Sequence, residues 1–395
     1  MNTTKSLYDQ YVVPSYSRSL VMTHGKGTEI WDDSGKRYLD FGGGIAVNCL
    51  GHAPQVVAET LHRQASELIH TSNLYYHAKQ GELAQKLVEL TGPGKIFFCN
   101  SGAEANECLY KLARRFGNAE GRFEIITTLN SFHGRTLAGI AATGQEKIKS
   151  GFGPLMTGFV HVPYNDLEAV QNAITPQTAA VLIEGIQGES GVYAASPEFL
   201  LGLRKLCTEK NILLLMDCVQ CGMFRTGKFM SYEQILADHP NGKAFLPDGI
   251  SMAKSLGSGF PIGATWIRTP YADLLQPGSH GTTYGGTPLA CAVALTVLET
   301  IQKNNLPASI EVVGKKILTT LTPLLGGKHL KSLRGMGGMI GIETDQTGLE
   351  MATQLREEGL LVAPAGGNNF RLLPPYNVKE EEVNEALVIL TRKLS

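Results

Sequence analysis

From residue 55 onward the apolar positions of this chain follow two alternating rhythms. Gln55 to Ser66 and Gly81 to Leu90 repeat apolar residues at helical spacing, and Thr91-Gly92-Pro93-Gly94 stops the second. Lys95 to Cys99 reads as a short strand, broken by Asn100-Ser101-Gly102-Ala103-Glu104, from which a helix runs to about Phe116. Phe123 to Thr128, Ala179 to Ile183 and Ile212 to Met216 are strand-length runs, with a helix from Pro197 to Lys210 between the last two. Ile212 to Met216 is apolar without alternation, as a strand buried on both faces of a parallel sheet requires. The alternation predicts an α/β fold with a mostly parallel, doubly wound sheet flanked by helices. Residues 22–41 read as a hairpin turning at Asp33-Ser34-Gly35, followed by Gly42-Gly43-Gly44. From about Pro288 the rhythm changes to helices at Leu289 to Lys303, Ser309 to Leu325 and Leu349 to Glu358. Short strands near Leu360 and Phe370 complete a smaller α+β domain.

A length of 395 residues suits two domains. The net charge of −1, with both signs spread throughout, leaves no basic footprint for nucleic acid. No apolar run approaches the roughly 18 residues of a membrane span, and the N-terminus lacks the apolar core of a secretion signal. Seven scattered cysteines read as buried, reduced thiols of a cytoplasmic protein. Cys218 and Cys221 form a C-x-x-C, but no second ligand pair follows for zinc, and the pair does not open a helix as a dithiol redox site would. No metal is expected.

Polar residues collect where the strands end. Asp217 follows the run Ile212 to Met216, at the carboxyl edge where open α/β sheets place ligands. A second run, Gly249 to Met252, leads into Lys254 and a loop with glycines at 257, 259 and 263. Pyridoxal phosphate needs both groups: a lysine to form a Schiff base and an acid to keep the pyridine nitrogen protonated. The turn at Asn100 to Glu104, between strand and helix, presents free amides and a positive dipole end to an anion, or else is an ordinary cap. Phe132, His133 and Arg135 gather after another strand. Phe132 could stack on a flat ring and Arg135 could grip a carboxylate in a two-point bond. Glu184 and Glu189 follow a fourth strand, and Arg371 stands alone among apolar residues in the smaller domain.

With these residues in place, the chain resembles the class III aminotransferases, pyridoxal phosphate enzymes of fold type I, from about Gly25 to about Asn377. The resemblance rests on FGGGIAVNCLGH, TSNLYYH, NSGAEANE, SFHGRT, IEGIQGESGV, MDCVQCG-x-x-RTG, SMAKSLGSGFPIG, HGTTYGGTPLACAVA and FRLLPP. It implies a large cofactor domain at residues 56–284 and a small domain from 1–55 and 285–395. It assigns Lys254 to the Schiff base and to the catalytic proton shift, and Asp217 to the ring nitrogen. Gln220 is assigned to the phenolic oxygen, Phe132 and Val219 to the two ring faces, and His133 to the cofactor pocket. Ser101, Gly102 and Ala103 would hold the phosphate, with Thr282 and Thr283 completing that site from the partner subunit of a homodimer. For substrates it implies Arg135 and Tyr16 on an N2-acylated ornithine, with room for the acyl group at Gly44. Arg371 would bind the α-carboxylate of 2-oxoglutarate or glutamate, with Glu189 covering it while the amine donor is bound.

The chain departs from the family pattern at Cys218, Cys221, Phe224, Gly185 and Thr287, where glutamate, threonine, glycine, proline and asparagine are usual. No catalytic group is lost, but these sites bear on the choice among acetylornithine, succinylornithine and 4-aminobutyrate. A nicotinamide-dependent dehydrogenase would need a G-x-G-x-x-G after the first strand and an acid about 20 residues on, and neither is placed so. A binding protein without catalysis would not need Lys254, Asp217 and Arg371 together.

Overall fold

The computed structural model describes residues 3–395. A short helix, Thr4–Tyr11, precedes an antiparallel meander of β1 (Met22–Lys26), β2 (Glu29–Asp32) and β3 (Arg37–Asp40). The expected hairpin is β2–β3, and β1 adds a third strand. Helices α1 (Gln55–Glu67) and α2 (Ala78–Thr91) follow, then β4 (Gly94–Cys99) and α3 (Gly102–Gly117). The chain continues through β5 (Glu124–Thr128), β6 (Phe159–Val162), β7 (Thr178–Glu184), α4 (Pro197–Glu209), β8 (Leu213–Asp217), β9 (Gly249–Met252) and β10 (Gly263–Arg268).

These strands form a seven-stranded sheet in the order β4-β10-β9-β8-β7-β5-β6. All run parallel except β10, which pairs antiparallel with both β9 and β4. Every residue of β7 and of β8 is buried, as the unbroken apolar runs predict. Strands β6 and β10 are absent from the pattern reading. Phe159–Val162 is an edge strand interrupted by His161 and only partly buried, and Gly263–Arg268 opens on the glycine that closes a loop.

Beyond β10 come α5 (Pro288–Lys303), α6 (Leu306–Leu321), the hairpin β11 (Leu330–Met336) and β12 (Met339–Thr344), α7 (Gly348–Glu357), β13 (Asn369–Leu372) and α8 (Glu380–Leu394). Strand β12 lies between β11 and β13. Leu39 and Phe41 from the N-terminal meander share one core with Ile340, Phe370, Leu372 and Leu390. The chain's two ends therefore bury apolar surface together, separate from the larger core around the seven-stranded sheet. All seven cysteines are free and buried, as expected. No helix among the described residues is long and apolar enough to cross a membrane.

Candidate active site

Five parallel strand ends, of β4, β5, β7, β8 and β9, face the same edge of the sheet, and the residues that follow them line a cleft of about 370 Å³. Asp217 closes β8, in register with Glu184 on one side and Ser251 on the other. Its carboxylate is buried and takes three hydrogen bonds: Oδ2 accepts from Asn106 Nδ2 at 2.7 Å and from His133 Nδ1 at 2.8 Å, and Oδ1 from the Val219 amide at 3.1 Å. Asn106 is itself fixed by Ser251 Oγ, which donates to its Oδ1 at 2.7 Å, and it donates in turn to the His133 carbonyl. Such charge-assisted bonds hold a buried carboxylate in one orientation.

Lys254 follows β9 in a left-handed conformation, φ 46°. Burial pushes its ammonium down to about 8; Arg371 adds to that shift, while Glu189, Asp217 and Glu184 oppose it. A neutral amine is therefore accessible near physiological pH, as a nucleophile needs.

The N-terminus of α3 forms another wall. Ser101 Oγ caps the helix by accepting the Glu104 amide at 3.2 Å. Because first-turn amides have no partner inside a helix, those of Gly102 and Ala103 remain for an outside anion. Both the cap and the anion readings of this turn therefore describe the same geometry. Gly102 has to be glycine, since a Cβ there would stand 2.6 Å from Val219 Cγ1. Phe132 and Val219 both line the cleft, and the Arg135 guanidinium lies 5.0 Å from the centre of the Phe132 ring. Among the described residues Arg135 makes no ion pair, which leaves its charge free for a ligand.

Arg371 on β13 is 1% exposed. Its Nη1 donates to Glu189 Oε1 at 2.7 Å and to Gln220 Oε1 at 3.1 Å, and its Nη2 to the Pro364 carbonyl at 2.9 Å. Burial works to raise the Glu189 carboxyl, but the Arg371 charge and hydrogen bond, with Lys254 and Gln220, outweigh it and hold the group below the usual range. Glu184 shows the opposite balance. Burial, and after it the Asp217 charge, push its carboxyl well above the usual range, and its Oε1 accepts the Phe132 amide at 2.7 Å.

A carboxylate able to hold a protonated ring nitrogen, a depressed lysine, an anion-binding helix end and apolar walls thus share one cleft. That set of donors fits pyridoxal phosphate. Residues 11–394 match the class-III aminotransferase family. The chain belongs to the class-III aminotransferases. It is 43% identical to an acetylornithine aminotransferase of Caldanaerobacter subterraneus subsp. tengcongensis over 393 residues, 98% of each chain. Among solved aminotransferases, an ornithine aminotransferase from Toxoplasma gondii, described with partial occupancy of PLP at its active site, superposes with a TM-score of 0.92. It is 31% identical, covering 100% of this chain and 95% of its own. An acetylornithine aminotransferase from Elizabethkingia anophelis gives 0.85 at 31% identity, covering 99% and 97%.

Some residues that the resemblance points to lie outside this cleft. Thr282 and Thr283 line a separate cavity with Cys99, Asn100 and Glu104, where Thr282 Oγ1 accepts from Asn100 Nδ2 at 3.3 Å. Tyr16 belongs to the exposed N-terminal segment, near Tyr8 and Arg18. Gly44 is exposed with φ 62°, and Val47 rather than Gly44 lines the cleft. Conversely, Asn106 was visible only as a letter within NSGAEANE. Asn106 gains its place from Asp217, which is remote in sequence.

The family departures cluster. A Cβ at Gly185 would stand 2.3 Å from Ser231 Oγ, and that hydroxyl donates to Cys221 Sγ at 3.2 Å. Cys221 lines the cleft, whereas Cys218 does not. Phe224, with φ 67°, occupies left-handed backbone beside Met223 at φ 55°, which explains why glycine is usual at 224. Thr287 caps α5 by accepting the Ala290 amide, a task asparagine performs equally well.

Proposed function

We propose that the protein transfers the terminal amine of N2-acetyl-L-ornithine to 2-oxoglutarate, giving N-acetyl-L-glutamate 5-semialdehyde and L-glutamate, a step of arginine biosynthesis. The observation that carries this reading is the buried Arg371 covered by Glu189 beside Lys254. The acetylornithine aminotransferases that the chain resembles support the choice of donor. Bound pyridoxal phosphate supplies an aldehyde for the amine and a protonated ring that draws electrons from the reacting carbon.

Lys254 takes and returns the proton at Nζ, a role its depressed pKa favours. Asp217, held by His133 and Asn106, keeps the ring nitrogen protonated. Of the residues lining the cleft, Gln220 would serve the phenolic oxygen, Phe132 and Val219 the two ring faces, and the Ser101, Gly102 and Ala103 amides the phosphate. Thr282 and Thr283, outside the cleft of their own chain, complete the phosphate site of a second copy, so the active form is a homodimer. Arg135 holds the acetylornithine carboxylate, with Tyr16 nearby and space at Gly44 for the acyl group. A monocarboxylate donor leaves Arg371 neutralised by Glu189, while 2-oxoglutarate displaces Glu189 and takes the guanidinium. The same reading divides the chain into residues 56–284 and 1–55 with 285–395, and places the enzyme in the cytoplasm.

The test is a single-turnover experiment following the bound cofactor's visible band after mixing with acetylornithine, succinylornithine, ornithine or 4-aminobutyrate. Fast loss with acetylornithine and slow loss with ornithine is expected. Fast loss with 4-aminobutyrate, which has no acylated α-amine, would remove Arg135 and Gly44 as the determinants.

A further inference from the structure

Arg334 on β11, Gly341 on β12 and Arg371 on β13 stand directly opposite one another across three strands. Opposed residues project from the same face of a sheet, so the two arginines flank a gap left by Gly341. The loop carrying Glu189 lies in that gap: a Cβ at Gly341 would stand 2.2 Å from the Gly191 carbonyl oxygen.

Arg334 grips this loop at several points. Its Nε donates to the Gly191 carbonyl at 2.8 Å, and its guanidinium lies 4.0 Å from the centre of the Tyr193 ring. Nη1 donates to Ser332 Oγ at 2.7 Å and reaches Glu343, while Nη2 donates to Asn369 Oδ1, two residues before Arg371. Asn369 in turn donates to the Gly366 carbonyl, and the Gly366 amide donates to the Glu189 carbonyl at 2.8 Å. The loop is also strained, for Val192, a β-branched residue, has φ 65°. Such a conformation persists only where its surroundings impose it.

We infer that Arg334 is a positioning residue for donor and acceptor discrimination. It fixes the loop backbone so that Glu189 reaches Arg371 by its side chain alone. Of the two arginines facing the loop, Arg334 stays bound through both half-reactions and Arg371 is released to a dicarboxylate. This rests on the gating role given to Glu189 above. Loosening the loop weakens Glu189 as the competitor for Arg371, so a dicarboxylate that cannot react binds more tightly.

The probe is glutarate, titrated calorimetrically into holoenzyme of the wild type and of Glu189→Gln, Arg334→Gln, Arg334→Lys and Gly341→Ala. Glu189→Gln is expected to lower the glutarate Kd about tenfold, the scale of one charge-assisted contact. Arg334→Gln and Gly341→Ala are expected to lower it about threefold or more in the same direction, with kcat at saturating substrates held within about twofold. Arg334→Lys, which keeps a donor for Gly191, should recover part of the wild-type value. Gly341→Ala disturbs the loop from the opposite side and carries the test if the Arg334 variants fold poorly. Should Glu189→Gln tighten glutarate while Arg334→Gln and Gly341→Ala match the wild type, the inference is overturned and the gate survives. If Glu189→Gln itself leaves glutarate unchanged, the gate falls and the inference falls with it.

Discussion

Asp217, which lines the cleft, and Arg371, which stands behind the cleft-lining Glu189, are buried charges under opposite regimes. Asp217 is held by three donors, from α3, the loop after β5 and its own turn. Arg371 is held by Glu189, a residue 29% exposed at its side chain and so able to leave. On the function proposed above, one charge is preorganised for a single task in both half-reactions, and the other is given a temporary partner because it serves only one of two substrates. The difference shows how one cleft treats two unlike acids: it fixes what both reactions share and makes exchangeable what only one requires.

Substitutions can break that contrast. Asp217→Asn keeps the size of the side chain but removes the charge, and should lower both half-reaction rates by the same factor, about 10²–10³, the scale of a lost electrostatic stabiliser. Stopped-flow rates that fall in only one half-reaction would contradict the shared role. Arg371→Ala should spare the acetylornithine half-reaction within a few fold while raising the KM for 2-oxoglutarate about 100-fold, as removal of a buried ionic contact does. Equal losses in both halves would make Arg371 part of the fixed machinery.

Gly102→Ala sharpens the picture at the helix end. Its Cβ forces Val219 or α3 to move, and cofactor affinity should fall about tenfold, measured by the Kd of pyridoxal phosphate. An unchanged Kd would place the anion elsewhere. The smallest effect is expected from Glu184→Gln and is read in stability. The Glu184 carboxyl is raised well above its ordinary range when folded and returns to that range when unfolded, so wild type loses stability as pH rises from about 4.5 toward the raised folded value. Glu184→Gln keeps an acceptor for the Phe132 amide and lacks that loss. Its Tm should exceed the wild-type value by a few degrees at pH 8, and the gap should shrink toward pH 5. A gap independent of pH would mean that Glu184 is ionised in the folded protein.

Much of the architecture was legible because burial on two faces leaves an unbroken apolar run, as in residues 213–216 and 179–183. The polar residues just after those runs were legible too, since a parallel sheet delivers its strand ends to one edge. Less regular strands escaped: Phe159–Val162 is a partly buried edge strand carrying His161, and Gly263–Arg268 turns antiparallel after a glycine-rich loop.

Local pattern by itself determined most of the elements, the shared edge and the candidacy of Asp217 and Lys254, because those depend on periodicities of a few residues. Tertiary structure alone decided the partners. Asn106 under Asp217, the raised Glu184 carboxyl beside Asp217 and Arg334 across Gly341 all join residues distant in sequence. Their protonation and orientation depend on burial and on which charge stands a few ångströms away. Neither quantity exists until the chain has packed.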